Sequence, residues 1–351
     1  MNSSSNLPRF LSAVVAILLA STSGGCYLVQ SAAGELSLLS KRRPITRVVA
    51  DPSTPPPLRA ELAEVSSIRD YATRTLGLPD NGSYRSYADI GRAYVVWNVV
   101  AAPEFSVDAK EWCYPIVGCV AYRGYFKEGR ARAFAAEWRD RGFDVSVGGT
   151  AAYSTLGHFD DPILNTMVGW NDIELASIIF HELTHQWLYV PGDASFNEAL
   201  ATTVEEEGVR RWLLAQGRDD DLAKHLVQQR RELQVIGLLR STRAELQVLY
   251  ASGLAAPSMR ERKRATFAAM RAAYAQLTAT WGPHPPFESW FEDDTMNNAH
   301  LASVATYYDC VPGFERELAS VGGDLKLFYG RVEALARLDR RGRDAAVCSQ
   351  P

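Results

Sequence analysis

The sequence predicts an α+β fold in which a mixed β-sheet is followed by a largely helical half, and three observations predict it. Aromatic and β-branched runs cluster between residues 94 and 155. Apolar residues recur at three- and four-residue intervals from Asn171 onward. The 351 residues are 47% apolar and 22% charged, enough to bury a substantial core and incompatible with wholesale disorder. A net charge of -4, with no long basic block, argues against a nucleic-acid partner.

At the N-terminus, Arg9 precedes the apolar run Phe10 to Ala20 and the small residues Ser21 to Gly25, the layout of an export signal. The run is about half the roughly 20 residues that a spanning helix needs, and no later segment reaches that length. Ser23-Gly24-Gly25-Cys26 resembles a bacterial lipobox, which implies cleavage before Cys26 and lipid attachment to its sulfur. With Tyr27 rather than Asp after the cysteine, the resemblance implies an outer-membrane anchor facing the periplasm; the alternative is plain secretion. Four cysteines remain, Cys113, Cys119, Cys310 and Cys348, which allow three pairings. The simplest joins Cys113 to Cys119 and leaves Cys310 for Cys348; the other reading is four reduced, buried thiols.

A helical pattern runs from about Ala32 to Leu39, and Pro52 to Pro57 interrupts regular structure before a helix from Pro57 to Thr75. Strands are expected at Tyr94–Val99, Val120–Phe126, Asp144–Val147 and Thr150–Thr155, with a helix over Gly129–Arg141. Ile173, Ala176, Ile179, Leu183 and Trp187 define one buried helix face, and Pro191-Gly192 stops that helix. Ser195 starts a second helix to about Leu214, and amphipathic stretches follow at Asp220–Ser252, Ser258–Thr280, Asn297–Thr306 and Leu325–Leu338. The expected organisation is a signal peptide (1–25), an anchor and linker (26–56), a catalytic core (57–215), and a helical region (216–351) that completes the cleft.

The helix ending at Trp187 carries His181-Glu182-Leu183-Thr184-His185. Histidines four residues apart project from one helix face and can meet one Zn2+ ion, while Glu182, offset around the axis, is placed to act as general base on a water. Zinc would lower the pKa of that water and polarise a scissile carbonyl. The bland alternative is a pair of packed histidines. For the third ligand, Glu198 and Glu205 compete on the next helix. Asn197-Glu198-Ala199 resembles the segment that supplies the third ligand in gluzincin peptidases, which favours Glu198, although only twelve residues separate it from His185. The competing reading of Ser195-x-x-Glu198 is a capping box, and Glu205, Glu206 and Glu207 read as a solvated face.

The chain resembles a bacterial family of lipoprotein aminopeptidases through Gly25-Cys26, Arg43-Pro44-Ile45, Trp112-Cys113 to Gly118-Cys119, Tyr122 to Phe126, Tyr153 to Gly157, His181 to Gln186, Phe196 to Ala199 and Asn297 to Ala299. The resemblance implies a zincin-like domain, one zinc ion and a peptide substrate, and it alone supplies the aminopeptidase label. Tyr153, Ser154 and Thr155 are the expected edge strand for an extended substrate. Tyr307, Tyr308 or His300 is the expected oxyanion donor, a choice the residues leave open. Two rival readings stand beside this one: an endopeptidase, and a non-catalytic peptide-binding or envelope-assembly lipoprotein.

Overall fold

The computed structural model describes residues 23–114, 118–152, 154–292, 295–304 and 310–348. Helices α1 (Ser23–Leu39) and α2 (Ile45–Ala50) flank the short strand β1 (Arg43–Pro44) and lead into α3 (Pro56–Arg74). Strands β2 (Ser86–Ala88), β3 (Val96–Pro103), β4 (Trp112–Tyr114), β5 (Gly118–Val120) and β6 (Arg123–Tyr125) follow. Helix α4 (Glu128–Asp140), β7 (Phe143–Thr150) and β8 (Ile163–Leu164) complete the β-rich part. Then come α5 (Asp172–Trp187), α6 (Ala194–Ala215), α7 (Asp219–Tyr250), α8 (Ala256–Thr278), α9 (Glu288–Phe291), α10 (Asn298–Val304), α11 (Val311–Ser320), α12 (Leu325–Ala336) and α13 (Arg340–Arg343). The fold is a mixed α+β one, dominated by helices, with small sheets.

The principal sheet is antiparallel, in the order β6-β3-β7, so β7 is an edge strand. Helix α4 covers it: Ala131, Ala135 and Trp138 pack against Val99, Ala101 and Val145. In the β4-β5 hairpin, Cys113 lies directly opposite Cys119, and the two form a disulfide. A second disulfide joins Cys310 to Cys348, so the pairing is the simplest of the three combinations.

The main core forms where α3, α5 and α6 meet. Leu62, Val65 and Ile68 from α3, Ile179, Phe180 and Leu183 from α5, and Phe196, Leu200 and Val204 from α6 are all essentially inaccessible. Gly208 permits the close approach: a Cβ there would lie 2.8 Å from both Leu76 Cδ1 and Phe180 Cδ2, nearer than side chains tolerate. Phe314, Phe328, Val332 and Val347 join the same core, with Phe314 edge-on to Phe196 at 5.0 Å, so the C-terminal segment folds back onto the helices expected to form the catalytic core. Leu38, Ile45 and Val48 are buried there too, which makes much of the segment expected to be anchor and linker part of the folded body. Helices α7 and α8 build a separate core from Val235, Leu239, Phe267 and Met270.

One expected strand does not form. Strand β7 ends at Thr150, and Ser154 and Thr155 lie in irregular structure, because Asp161 diverts them. Its carboxylate accepts from the Thr155 amide at 2.9 Å and the Thr155 hydroxyl at 2.8 Å, and Leu156 and Gly157 bend the chain with φ of 54° and 81°. Tyr153 lies outside the described residues, as do Tyr307 and Tyr308. Helix α11, not anticipated from sequence, carries Pro312 in its first turn, where a missing N–H costs nothing.

Arg69 is fully buried on α3 and holds the next loop from inside, donating to the carbonyls of Ser83 (2.9 Å), Pro79 (2.7 Å) and Asn81 (3.2 Å). Burial lowers its pKa to about 10, so it stays charged at neutral pH. Replacing it by Leu strands several buried carbonyls, and Arg69→Leu is expected to cost about 3 kcal/mol in urea denaturation.

Candidate metal centre

Helix α5 starts at a reciprocal cap. Asn171 Oδ1 accepts from the Glu174 amide at 3.0 Å, and Glu174 Oε2 accepts from the Asn171 amide at 2.9 Å. One face of the helix is buried through Leu175, Ile179 and Leu183, which fixes its rotation and sends His181 and His185 to the same side. After Trp187 the chain reverses tightly. The Asn197 carboxamide accepts from the Val190 amide and donates to the Val190 carbonyl, both at 2.8 Å, closing the turn with two bonds. The cap of α6 is Asp193, which accepts from the Phe196 amide at 3.3 Å and takes Arg343 Nε on its other oxygen at 2.7 Å. The capping-box alternative for Ser195 and Glu198 is thereby displaced, and Glu198 is left to turn back toward the histidines.

The Nε2 atoms of His181 and His185 are 3.1 Å apart, and Glu198 Oε2 lies 3.3 Å from the first and 3.7 Å from the second. These are lone-pair donors converging on one point. A tetrahedral zinc with bonds of about 2.0–2.1 Å needs its donors about 3.3 Å apart, so the three residues fit the ion in both chemistry and spacing. Electrostatics agree. Burial pulls the His181 pKa down, yet Glu198 and Glu205 more than offset it and hold it at about 10. Burial raises Glu198, and the two histidines more than offset that, leaving it at about 2.

Glu205 has a different place from the one expected. Its Oε2 lies 3.0 Å from His181 Nδ1, so it is not part of a solvated face but the partner of the imidazole nitrogen that points away from the other donors. Such a carboxylate fixes ring orientation and tautomer and strengthens the donor nitrogen. The signal was present in the spacing: Glu205 is seven residues beyond Glu198, two turns along one face of α6. Glu207 pairs with Arg210 and Arg211 instead. Glu206 has its pKa pushed up to about 8 by burial, then by Glu205, Glu315 and Glu232.

The donors open on a cleft of about 1910 Å³ that Glu182 also lines. Its lining includes Gly148, Gly149 and Thr150 at the end of β7, Ser154 and Leu156 beyond, and His225, Trp290 and His300. His300 is the only expected oxyanion donor among the described residues, and its Nδ1 lies 3.2 Å from the Asn297 amide and 3.3 Å from Asn297 Oδ1. Thr155 is committed to Asp161. Cys26 belongs to α1.

Two predictions follow from this geometry. Glu198→Gln should abolish stoichiometric zinc binding, whereas Glu205→Gln should weaken it roughly 10- to 100-fold, as read by competition with a chromogenic chelator. Glu206, with its folded pKa raised, contributes stability that is present below about pH 4.5 and lost as pH rises through about 8. In chelator, Glu206→Gln should therefore melt with the parent at pH 4 and progressively above it toward pH 9.

A comparison with family models places residues 26–347 in the family described as "Putative aminopeptidase". No curated protein and no solved structure matches the chain. The match spans nearly the whole chain, including the Cys113–Cys119 pair and the donor cluster, and the protein is a member of that aminopeptidase family.

Proposed function

We propose that the protein is a zinc-dependent aminopeptidase of gluzincin type, built on a zincin-like framework, with His181, His185 and Glu198 as metal ligands and Glu182 as general base. The observation that carries this reading is the convergence of the three donors within 4.8 Å of one another beside Glu182 in one cleft. Zinc, when bound there, supplies the Lewis acidity that lowers the pKa of a water and polarises the scissile carbonyl. Glu182 takes the proton from the attacking water and delivers it to the leaving amine. His300, which lines the cleft, is the described residue best suited to stabilise the oxyanion.

The substrate-holding strand expected at Tyr153 to Thr155 is moved upstream. Among the described residues the edge of β7 away from β3 is unpaired, and at Gly148 to Thr150 it offers amide and carbonyl groups to an extended peptide, with open space around Gly148. A cleft of this size, with an edge strand along it, also suits an endopeptidase, and that is the second reading. We place the protein in the bacterial envelope, lipid-anchored through Cys26 to the outer membrane. The two disulfides support an oxidising compartment.

Glu182→Gln should retain zinc yet lose about 10²- to 10⁴-fold in peptide hydrolysis. Free peptides should be cleaved and their N-acetylated counterparts spared. Equal activity in the variant removes Glu182 as base, and rapid cleavage of blocked peptides replaces the aminopeptidase reading with the endopeptidase one.

A further inference from the structure

A second cavity, of about 250 Å³, lies where α1 meets the start of α4, and four cations line it: Lys41, Arg92, Lys127 and Arg130. No acidic side chain among the described residues does so. Two close contacts build it. Gly34 of α1 packs so tightly on Phe126 that an added Cβ would strike the ring, and Gln30 Nε2 donates to the Gly124 carbonyl at 3.2 Å, which fixes α1 against the end of β6. Arg92 holds Phe126 in turn. Its Nη1 donates to the Phe126 carbonyl at 2.7 Å, and its guanidinium lies 5.7 Å from the ring centroid.

The charges around this cavity are unanswered. Arg92 is half-buried, its Nη2 donates to the Val95 carbonyl at 2.9 Å, and its Nε is buried with no hydrogen-bonding partner. Among the described residues it therefore meets backbone carbonyls and no carboxylate. Lys41, Lys127 and Arg130 are exposed and form no ion pair among the described residues. Glu128, beside Lys127 in the chain, pairs with Arg132 at 2.7 Å instead. A half-buried guanidinium without a counter-anion is costly, and three further cations on the same cavity add to the cost. A bound oxyanion removes it. Guanidinium and ammonium groups together offer the charge and the several N–H donors that a phosphate accepts from.

The place of the cavity points to the source of that phosphate. It runs along α1 from Gln30 to Lys41, and Gln30 stands four residues beyond Cys26, about 6 Å along the helix axis. The headgroup layer of one bilayer leaflet is about 5–8 Å deep, so a lipid rooted at Cys26 brings this end of the cavity to the depth of the lipid phosphates. We propose that the cavity binds the phosphate of an anionic lipid headgroup, with Arg92, Lys127 and Arg130 as donors and Lys41 adding to the field, and so fixes how the anchored protein stands on the membrane. The proposal rests on the reading of Cys26 as the lipid attachment point. Ser31, next to Gln30, lines the metal cleft, so the occupied cavity sets the height of that cleft above the bilayer.

The test uses the chain from residue 26 onward, the form that cleavage of the export signal leaves, with Cys26→Ser so that no acyl chain contributes. Sedimentation with vesicles should show binding to phosphatidylglycerol about tenfold or more tighter than to phosphatidylcholine. Lys127→Ala combined with Arg130→Ala should weaken the phosphatidylglycerol binding about 30-fold at an unchanged melting temperature, and Lys41→Ala, on a different segment, about 5-fold. Arg262→Ala combined with Arg264→Ala removes the same charge from exposed positions on α8 and should leave the binding unchanged. No preference for phosphatidylglycerol, or equal losses in the two double variants, overturns the proposal. So does calorimetric binding of inorganic phosphate that the Lys127 and Arg130 changes abolish while vesicles are ignored, because the ligand is then a soluble phosphate. An unacylated Cys26, read from the mass of the exported full chain, overturns the anchor reading beneath the proposal, a distinct outcome.

Discussion

The centre depends on how α5 and α6 are joined. Two helices that each supply candidate ligands must be rigid relative to one another within a few tenths of an ångström to hold one ion, and here only six residues, Leu188 to Asp193, connect them. Asn197 holds this reversal by bonding both polar groups of Val190, and Asp193 caps the second helix while pairing with the buried Arg343. The short connection is an advantage in this setting, because a short loop with its polar groups satisfied has few alternative conformations. Apolar packing of Phe180 and Leu183 against Phe196 and Leu200 does the rest, and Gly208 sets the distance between the helices farther along.

Around this pair the protein spends buried polar groups freely. Arg69, Asp161, Asp193 and Arg343 are all nearly inaccessible, and each is bonded to backbone as well as to side chains. Unpaired, any of them would be strongly destabilising; paired, they hold irregular loops in single conformations where helices and strands cannot reach. The loops they hold, 79–86 and 154–161, are those that meet Gln186 on α5. The return of the C-terminus, stapled at Cys310–Cys348, ties Arg343 to Asp193 and so connects the far end of the chain to the turn between the ligand helices.

Much of this was legible in the amino-acid sequence. The long helices were readable because their apolar spacing persists over many turns, and the histidine pair because four-residue spacing on a helix places two side chains together whatever the tertiary fold. Glu198 was nameable on its neighbour Asn197, whose structural part, clamping the Val190 reversal, explains how so short a gap suffices. The strand expected through Thr155 was not readable. Alternating residues there resemble a strand locally, and only Asp161, brought near by the fold, supplies the competing hydrogen bonds.

By itself, then, the sequence determined the α+β character, the histidine pair on one helix face, the carboxylate between them and the cysteine arithmetic, since each follows from local periodicity or from residue type. Only the tertiary structure decided that Glu205 meets His181, that β7 is the edge strand beside the cleft among the described residues, and that Leu38 to Val48 and the C-terminal helices belong to the main core. The physical reason is common to all three. Each is a contact between segments far apart in the chain, and its energy depends on which surfaces pack together rather than on the propensity of any one segment.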